Sequence, residues 1–228
     1  MARGLAHSKF SSPQKLDHMK RNVQILIGVT ATLVVGSLPF PAWVDEFADT
    51  AHLVANELIY WVLVAATLLY VICIERLPLS TIGLRRPPIR DGLIAVAFAA
   101  ITVAGLAALY FIVFPALHIS EDAQIDKLMN APPWWLAISV IRAGVSEEVL
   151  FRGYPIERLQ ELTHSRSIAS ILPLLAFTLA HVGTWGWSHV IVAAFGGAML
   201  TWLYLWRRNL WTSIFAHCLI DGAAVLAG

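Results

Sequence analysis

At 228 residues, 58% of them hydrophobic and only 14% charged, with a mean hydropathy of +0.69, the chain does not read as a water-soluble domain. A formal net charge of +1 provides no global basic field for nucleic acid, and two cysteines, Cys73 and Cys218, both in apolar runs, support neither a disulfide framework nor a four-ligand zinc knuckle. Long apolar runs separated by short charged loops imply an all-α polytopic membrane helix bundle, with lipid in place of part of the usual core.

Residues 1–22 are polar for longer than the n-region of an ordinary signal peptide, so they read as a basic cytoplasmic tail ahead of a retained first span. A tilted helix needs about 20 apolar residues to cross a bilayer. Runs approaching that length predict seven spans: Val23 to Trp43, Leu53 to Cys73, Leu93 to Leu117, Trp134 to Leu150, Ile168 to Val182, Val190 to Trp206 and Leu210 to Leu226. Between the second and third, the stretch LPLSTIGLRRPPIRD stops helix with prolines and charges. The organisation that follows is a two-span N-terminal part at 23–76, a cytoplasmic linker at 77–92 and a five-span core at 93–228. Between the fourth and fifth spans, PIERLQELTHSR puts Ile156, Leu159 and Leu162 on one face, with Pro155 suited to a first helical turn. This predicts a short helix on the cytoplasmic interface.

The loops alternate in sign. Arg3, Lys9, Lys15, Lys20 and Arg21 precede the first span, and Asp45, Glu46 and Asp49 follow it. Arg76, Arg85, Arg86 and Arg90 follow the second, whereas Glu121, Asp122 and Asp126 outnumber Lys127 after the third. Arg152, Arg158 and Arg166 follow the fourth, and Arg207 and Arg208 separate the last two. Lysine and arginine bias sets orientation, so the N-terminus is expected in the cytoplasm and the C-terminus across the membrane.

An ionisable side chain in hydrocarbon costs about 2.5–3.5 kcal/mol on insertion scales, so each one present needs a reason. The first three spans hold Glu57 alone, read as a solvated or paired group near a span end. The later spans hold Arg142, Glu147, Glu148, Arg152, His181, His217 and Asp221. The C-terminal half therefore builds a polar interior that the N-terminal half does not share. On a helix, Glu148 and Arg152 stack four apart, while Glu147 points about 100° away and is left to face a cavity. The bland alternatives are a charged helix end, a structural histidine at 181 packed on Phe177, and a self-satisfied His217–Asp221 pair. Arg142 reads as pairing with a carboxylate or snorkelling, and His52, His118, His164 and His189 read as surface residues.

Taken in order, Glu147-Glu148 with Arg152, Phe177 with His181, and His217 with Asp221 resemble the three motifs of the CPBP intramembrane protease family, the CAAX protease and bacteriocin-processing or Abi family. The resemblance runs over roughly Leu93 to Gly228, and EEVLFRGY is its most specific part. It implies an endopeptidase that hydrolyses a peptide bond of a membrane-anchored peptide or protein. In that reading Glu147 is the general base, His181 and His217 orient water and stabilise the oxyanion, and Glu148 and Arg152 support the site. Asp221 departs from the asparagine of the best-known members. An ionised aspartate accepts hydrogen bonds and does not donate them, so Asp221 is either kept protonated by burial or fixes the tautomer of His217.

No cofactor is required by this reading. Zinc would find ligand types in Glu147, His181 and His217, but HExxH is absent and the metal-free version is favoured. The competing class is a non-catalytic scaffold or a transporter using the same polar interior; a transporter is expected to repeat its broken helices in two halves, and here every candidate lies in one half. The absence of GxSG weighs against a serine intramembrane protease. Compactness and short loops fit, by resemblance, a bacterial cell membrane. One difficulty of depth arises: at about 1.5 Å per residue, Glu147 and His217 fall near the cytoplasmic side and His181 near the far end of its span. They meet only if the fifth span starts deeper, bends at Pro173 or tilts strongly. Gly183, Gly186, Gly196 and Gly197 are expected to permit close helix approach there.

Overall fold

The structure, a computed structural model, describes residues 12–38, 49–119 and 131–227. Among these residues every regular element is helical. Helix α1 is Ser12–Gly36; α2 is Thr50–Leu69, prolonged by a π turn at Tyr70–Ile74; α3 is Arg90–Ala108, prolonged by a π turn at Leu109–Val113 and a last turn at Phe114–Ala116. Helix α4 is Pro133–Glu148, followed by a π turn at Val149–Gly153 and then α5, Tyr154–Thr163. Helices α6, α7 and α8 are Arg166–Trp185, His189–Arg207 and Leu210–Ala227. This is an all-α membrane bundle, and the chain is an integral membrane protein.

Five stretches among the described residues are long and apolar enough to cross a bilayer: Thr50–Ile74, Arg90–Ala116, Arg166–Gly183, His189–Arg207 and Leu210–Ala227. The first and fourth of the seven expected spans form helices but fall short of that standard. Helix α1 begins among charges, and the α-helical part of α4 has only 16 residues and carries Arg142, Glu147 and Glu148. The tail residues Arg3 and Lys9 lie outside the described residues, as do Asp45, Glu46, Glu121, Asp122, Asp126 and Lys127.

Local chemistry sets the helix ends. The Asp49 side chain accepts from the backbone N–H of His52 at 3.0 Å, and the Ser165 hydroxyl accepts from that of Ile168 at 3.3 Å, each supplying an N-cap. His164 and Arg208 end α5 and α7 in the left-handed conformation, which lets the chain reverse within two or three residues.

The junction of α4 and α5 differs from expectation. Glu148, Val149, Gly153 and Tyr154 all keep right-handed helical dihedrals, so the backbone runs without a break from Pro133 to Thr163. Pro155 has no N–H to give the preceding turn, and a widened turn at Val149–Gly153 absorbs that loss without ending the helix. The short helix predicted after the fourth span is therefore a continuation of α4, held between α1 and α6. Ile156 and Leu159 are buried as the amphipathic pattern implies, but Tyr154 and Arg158 are buried too.

A buried carboxylate explains how α5 tolerates that. Glu75, just past the π turn of α2, pairs with Arg158 at 2.7 Å and Arg21 at 3.2 Å and accepts from the Tyr154 hydroxyl at 3.1 Å. Burial and the Glu75 carboxylate push the Tyr154 phenol above its ordinary range, so it stays a donor. Arg21 also donates to both oxygens of Glu161, at 2.7 Å each. Helix α1 approaches α5 closely here, since a Cβ on Gly28 would overlap the Tyr154 hydroxyl. Around this network Ile25, Val71, Ile82, Val149, Ile156 and Leu210 form the main apolar core.

The linker after α2 is packed rather than loose. Its 3₁₀ turn, Leu79–Ile82, buries Ile82 fully, and Gly83, at φ 85°, offers its carbonyl to the backbone N–H of Leu210 at 2.8 Å. Asp91 at the start of α3 accepts from Arg207 at 2.6 Å and from Thr212 at 2.9 Å, tying α3 to α7 and α8.

Candidate active site

Helix continuity resolves the difficulty of depth. Glu147 lies sixteen residues before the end of α5 and His181 fifteen after the start of α6, so at 1.5 Å per residue both stand about 22–24 Å from the α5–α6 turn. Helix α6 itself starts at Arg166, slightly earlier than expected. The two residues come level because α5 prolongs α4. Side-chain contacts agree with that alignment: the Arg152 guanidinium lies 4.0 Å over the Phe177 ring, and Phe151 meets Phe177 edge-on at 5.4 Å.

Glu148 and Arg152 form an ion pair of 3.0 Å, four residues apart, with side chains no more than 1% exposed. This is no solvated helix end. A second Arg152 nitrogen donates to the Gly197 carbonyl on α7 at 3.4 Å. A Cβ on Gly197 would stand 2.8–2.9 Å from Phe177 and Leu174, so a glycine is needed for α7 to approach at that point. Gly196 faces open space, and Gly186, at φ 80°, shapes the α6–α7 turn.

Helix α8 supplies the centre. A Cβ on Gly144 of α4 would overlap the Cys218 sulfur, and this close passage sets His217 against both glutamates. Because a carboxylate accepts, His217 Nδ1 donates to Glu148 Oε1, at 2.9 Å. Its Nε2 stands 3.7 Å from Glu147 Oε2 and 3.4 Å from Asp221 Oδ2. His217 is thus ringed by three carboxylates, buried itself, while the side chains of Glu147 and Asp221 are 18% and 34% exposed. One wall of the site is open, and Glu147 and Asp221 are on it.

His181 joins through Phe177. Its Nδ1 donates to the Phe177 carbonyl at 2.7 Å, and its ring lies 4.4 Å from the Phe177 ring. With Nδ1 committed to a carbonyl, a neutral His181 carries its lone pair on Nε2 and can accept a hydrogen bond there. FxxxH is therefore one device: Phe177 fixes the histidine's tautomer with its backbone and the motif arginine with its ring.

Sequence reading missed one neighbour of the site and anticipated another pair. His189, counted among surface histidines, stacks on His181 with centroids 5.9 Å apart and ring planes 12° apart. The signal was the glycine turn at Gly186, which folds the first turn of α7 back toward the last turn of α6. Arg142 pairs with Glu57 at 3.4 Å and lies 4.5 Å over Tyr60, so each of the two charges expected to find a partner has found the other.

Among the described residues no group of three or more histidine, cysteine, aspartate or glutamate side chains is arranged to hold a metal ion.

Residues 129–223 match the family model described as type II CAAX prenyl endopeptidase Rce1-like, a segment that contains all three motifs. The match agrees with the resemblance to the CPBP family. No curated protein and no solved structure matches the chain.

Proposed function

We propose that this chain, which carries an Rce1-like CAAX protease domain over residues 129–223, cleaves the peptide backbone of a membrane-anchored substrate by glutamate-activated water. The observation that carries the reading is His217 held between Glu148 on one nitrogen and Glu147 with Asp221 on the other. Glu147 takes a proton from water, and the water oxygen bonds to the scissile carbonyl carbon. His181 Nε2 accepts the water's second hydrogen bond and fixes its direction of attack. The carbonyl oxygen becomes an oxyanion beside His217 Nε2. When Glu147 gains its proton its pull on that nitrogen falls, and the Nε2–H turns its hydrogen bond to the oxyanion, stabilising the developing charge with no proton transferred. Glu147 then passes its proton to the leaving amine nitrogen as the C–N bond breaks, so water, acid and amine balance.

Glu148 and Arg152 act behind His217. The buried ion pair holds Glu148 in place, and Glu148 holds the imidazole. Asp221 orients Nε2 from the open side, which an aspartate does as an acceptor. Metal-free hydrolysis is the version this geometry favours. The orientation that goes with it places the N-terminus in the cytoplasm and the C-terminus opposite, in a bacterial cell membrane.

The test is cleavage of a panel of membrane-anchored peptides, prenylated and unprenylated, by the purified protein in detergent. Glu147→Gln keeps shape and removes the base, and is expected to lower kcat by at least about 100-fold. Wild-type activity is expected to survive a chelator. Full activity in Glu147→Gln would overturn the assignment, and loss on chelation would overturn the metal-free version.

A further inference from the structure

The rings of Phe177, His181, His189 and Trp185 form a continuous run at the α6–α7 turn, with successive centroids 4.4, 5.9 and 5.6 Å apart. Among the described residues His181 is held by the bond from Nδ1 to the Phe177 carbonyl and by the Phe177 ring on one side, which leaves its other face to be held. A flat ring lying 12° from parallel holds that face. His189 is the first residue of α7, and α7 is anchored about two turns further along by the Arg152 to Gly197 contact, so the stacking partner belongs to a helix fixed in the bundle. Trp185, in the last turn of α6, stands against His189 in turn and closes the stack.

We infer that His189 is a positioning residue, acting through His181: its ring holds the His181 imidazole in the plane that directs Nε2 at the attacking water. The inference rests on the catalytic reading above. Ring stacking, and not the chemistry of the His189 nitrogens, is the operative property. A loosely held imidazole still binds substrate but reaches the productive geometry less often, so the loss falls on kcat and leaves KM nearly unchanged.

The experiment compares His189→Phe, His189→Gln and His189→Ala with wild type and Glu147→Gln, in detergent, on a peptide that wild type cleaves. Phe keeps a flat ring, Gln keeps polarity without one. His189→Ala and His189→Gln are expected to lower kcat about 10-fold with KM within about twofold, and His189→Phe to restore most of it. In histidine-labelled protein, the His181 Nδ1–H signal, assigned with His181→Gln, is expected to stay sharp in His189→Phe and to broaden in His189→Gln. Where His189→Ala does not fold, the Phe and Gln pair decides alone. Wild-type kcat in His189→Gln, or His189→Phe as slow as His189→Gln, would overturn the inference. Undiminished cleavage by Glu147→Gln would instead overturn the catalytic reading, while the His181 signal would still report whether His189 orders that ring.

Discussion

Arg152→Met separates the structural and chemical duties of the motif. In the folded protein Arg152 has a 3.0 Å ion pair with Glu148, a 3.4 Å hydrogen bond to Gly197 and a face-on contact with Phe177 at 4.0 Å, all out of solvent. Methionine fills much of the stem's volume, so the cavity contribution is small. What remains is a buried Glu148 carboxylate whose principal countercharge is gone, and removing one partner of such a pair costs about 3–5 kcal/mol. Loss of the cation–π contact adds about 0.5–2 kcal/mol. Replacing Glu148 as well removes the orphaned charge, so Glu148→Met/Arg152→Met is expected to recover most of the stability, to within about 2 kcal/mol of wild type. Activity is expected to stay lost in the double variant, because His217 Nδ1 has no acceptor and the ring no fixed tautomer. Equilibrium unfolding in mixed micelles, followed by tryptophan fluorescence, gives the stabilities, and peptide cleavage gives the activities. A single variant costing under about 1 kcal/mol, or a double variant no more stable than the single, would refute the buried-pair argument.

Gly153→Ala places a Cβ 2.8 Å from a Leu210 methyl and 2.9 Å from the Ile82 carbonyl, and the carbonyl belongs to a packed 3₁₀ turn that has little room to retreat. A loss of about 1–3 kcal/mol is expected in the same unfolding assay, whereas Gly196→Ala, which meets nothing within 4 Å, is expected to be neutral or stabilising by up to about 1 kcal/mol. Equal effects from the two would contradict the packing at the π turn. For Asp221, exchange to Asn retains an oxygen acceptor toward His217 Nε2 and adds a donor, so kcat/KM is expected to stay within about 10-fold of wild type, while Asp221→Leu loses the contact and most activity. Asn as inactive as Leu would show that charge, and not hydrogen-bond orientation, is what position 221 supplies.

The parts of this protein legible in its sequence are those governed by near neighbours. The all-α bundle follows from apolar run length, the Glu148–Arg152 pair from four-residue spacing, and the separation of Glu147 from that pair from a 100° step. The parts that were not legible depend on partners far along the chain. Charges from Arg152 onward look like the start of a water-exposed loop, so the fourth span was ended at Leu150. In the fold Arg152 is met by Glu148, Arg158 by Glu75 and Glu157 by Arg208, and the helix continues. One wrong ending then misplaced Glu147 relative to His181 by the length of α5, which is the whole of the apparent mismatch in depth. His189 was hidden in the same way, since its meaning depends on a reversal at Gly186 and not on its own polarity. A hydropathy window treats every charge as if water will satisfy it, so in a membrane protein it fails where the charges satisfy one another. Such places are costly to build, and they are therefore where a functional interior is to be looked for.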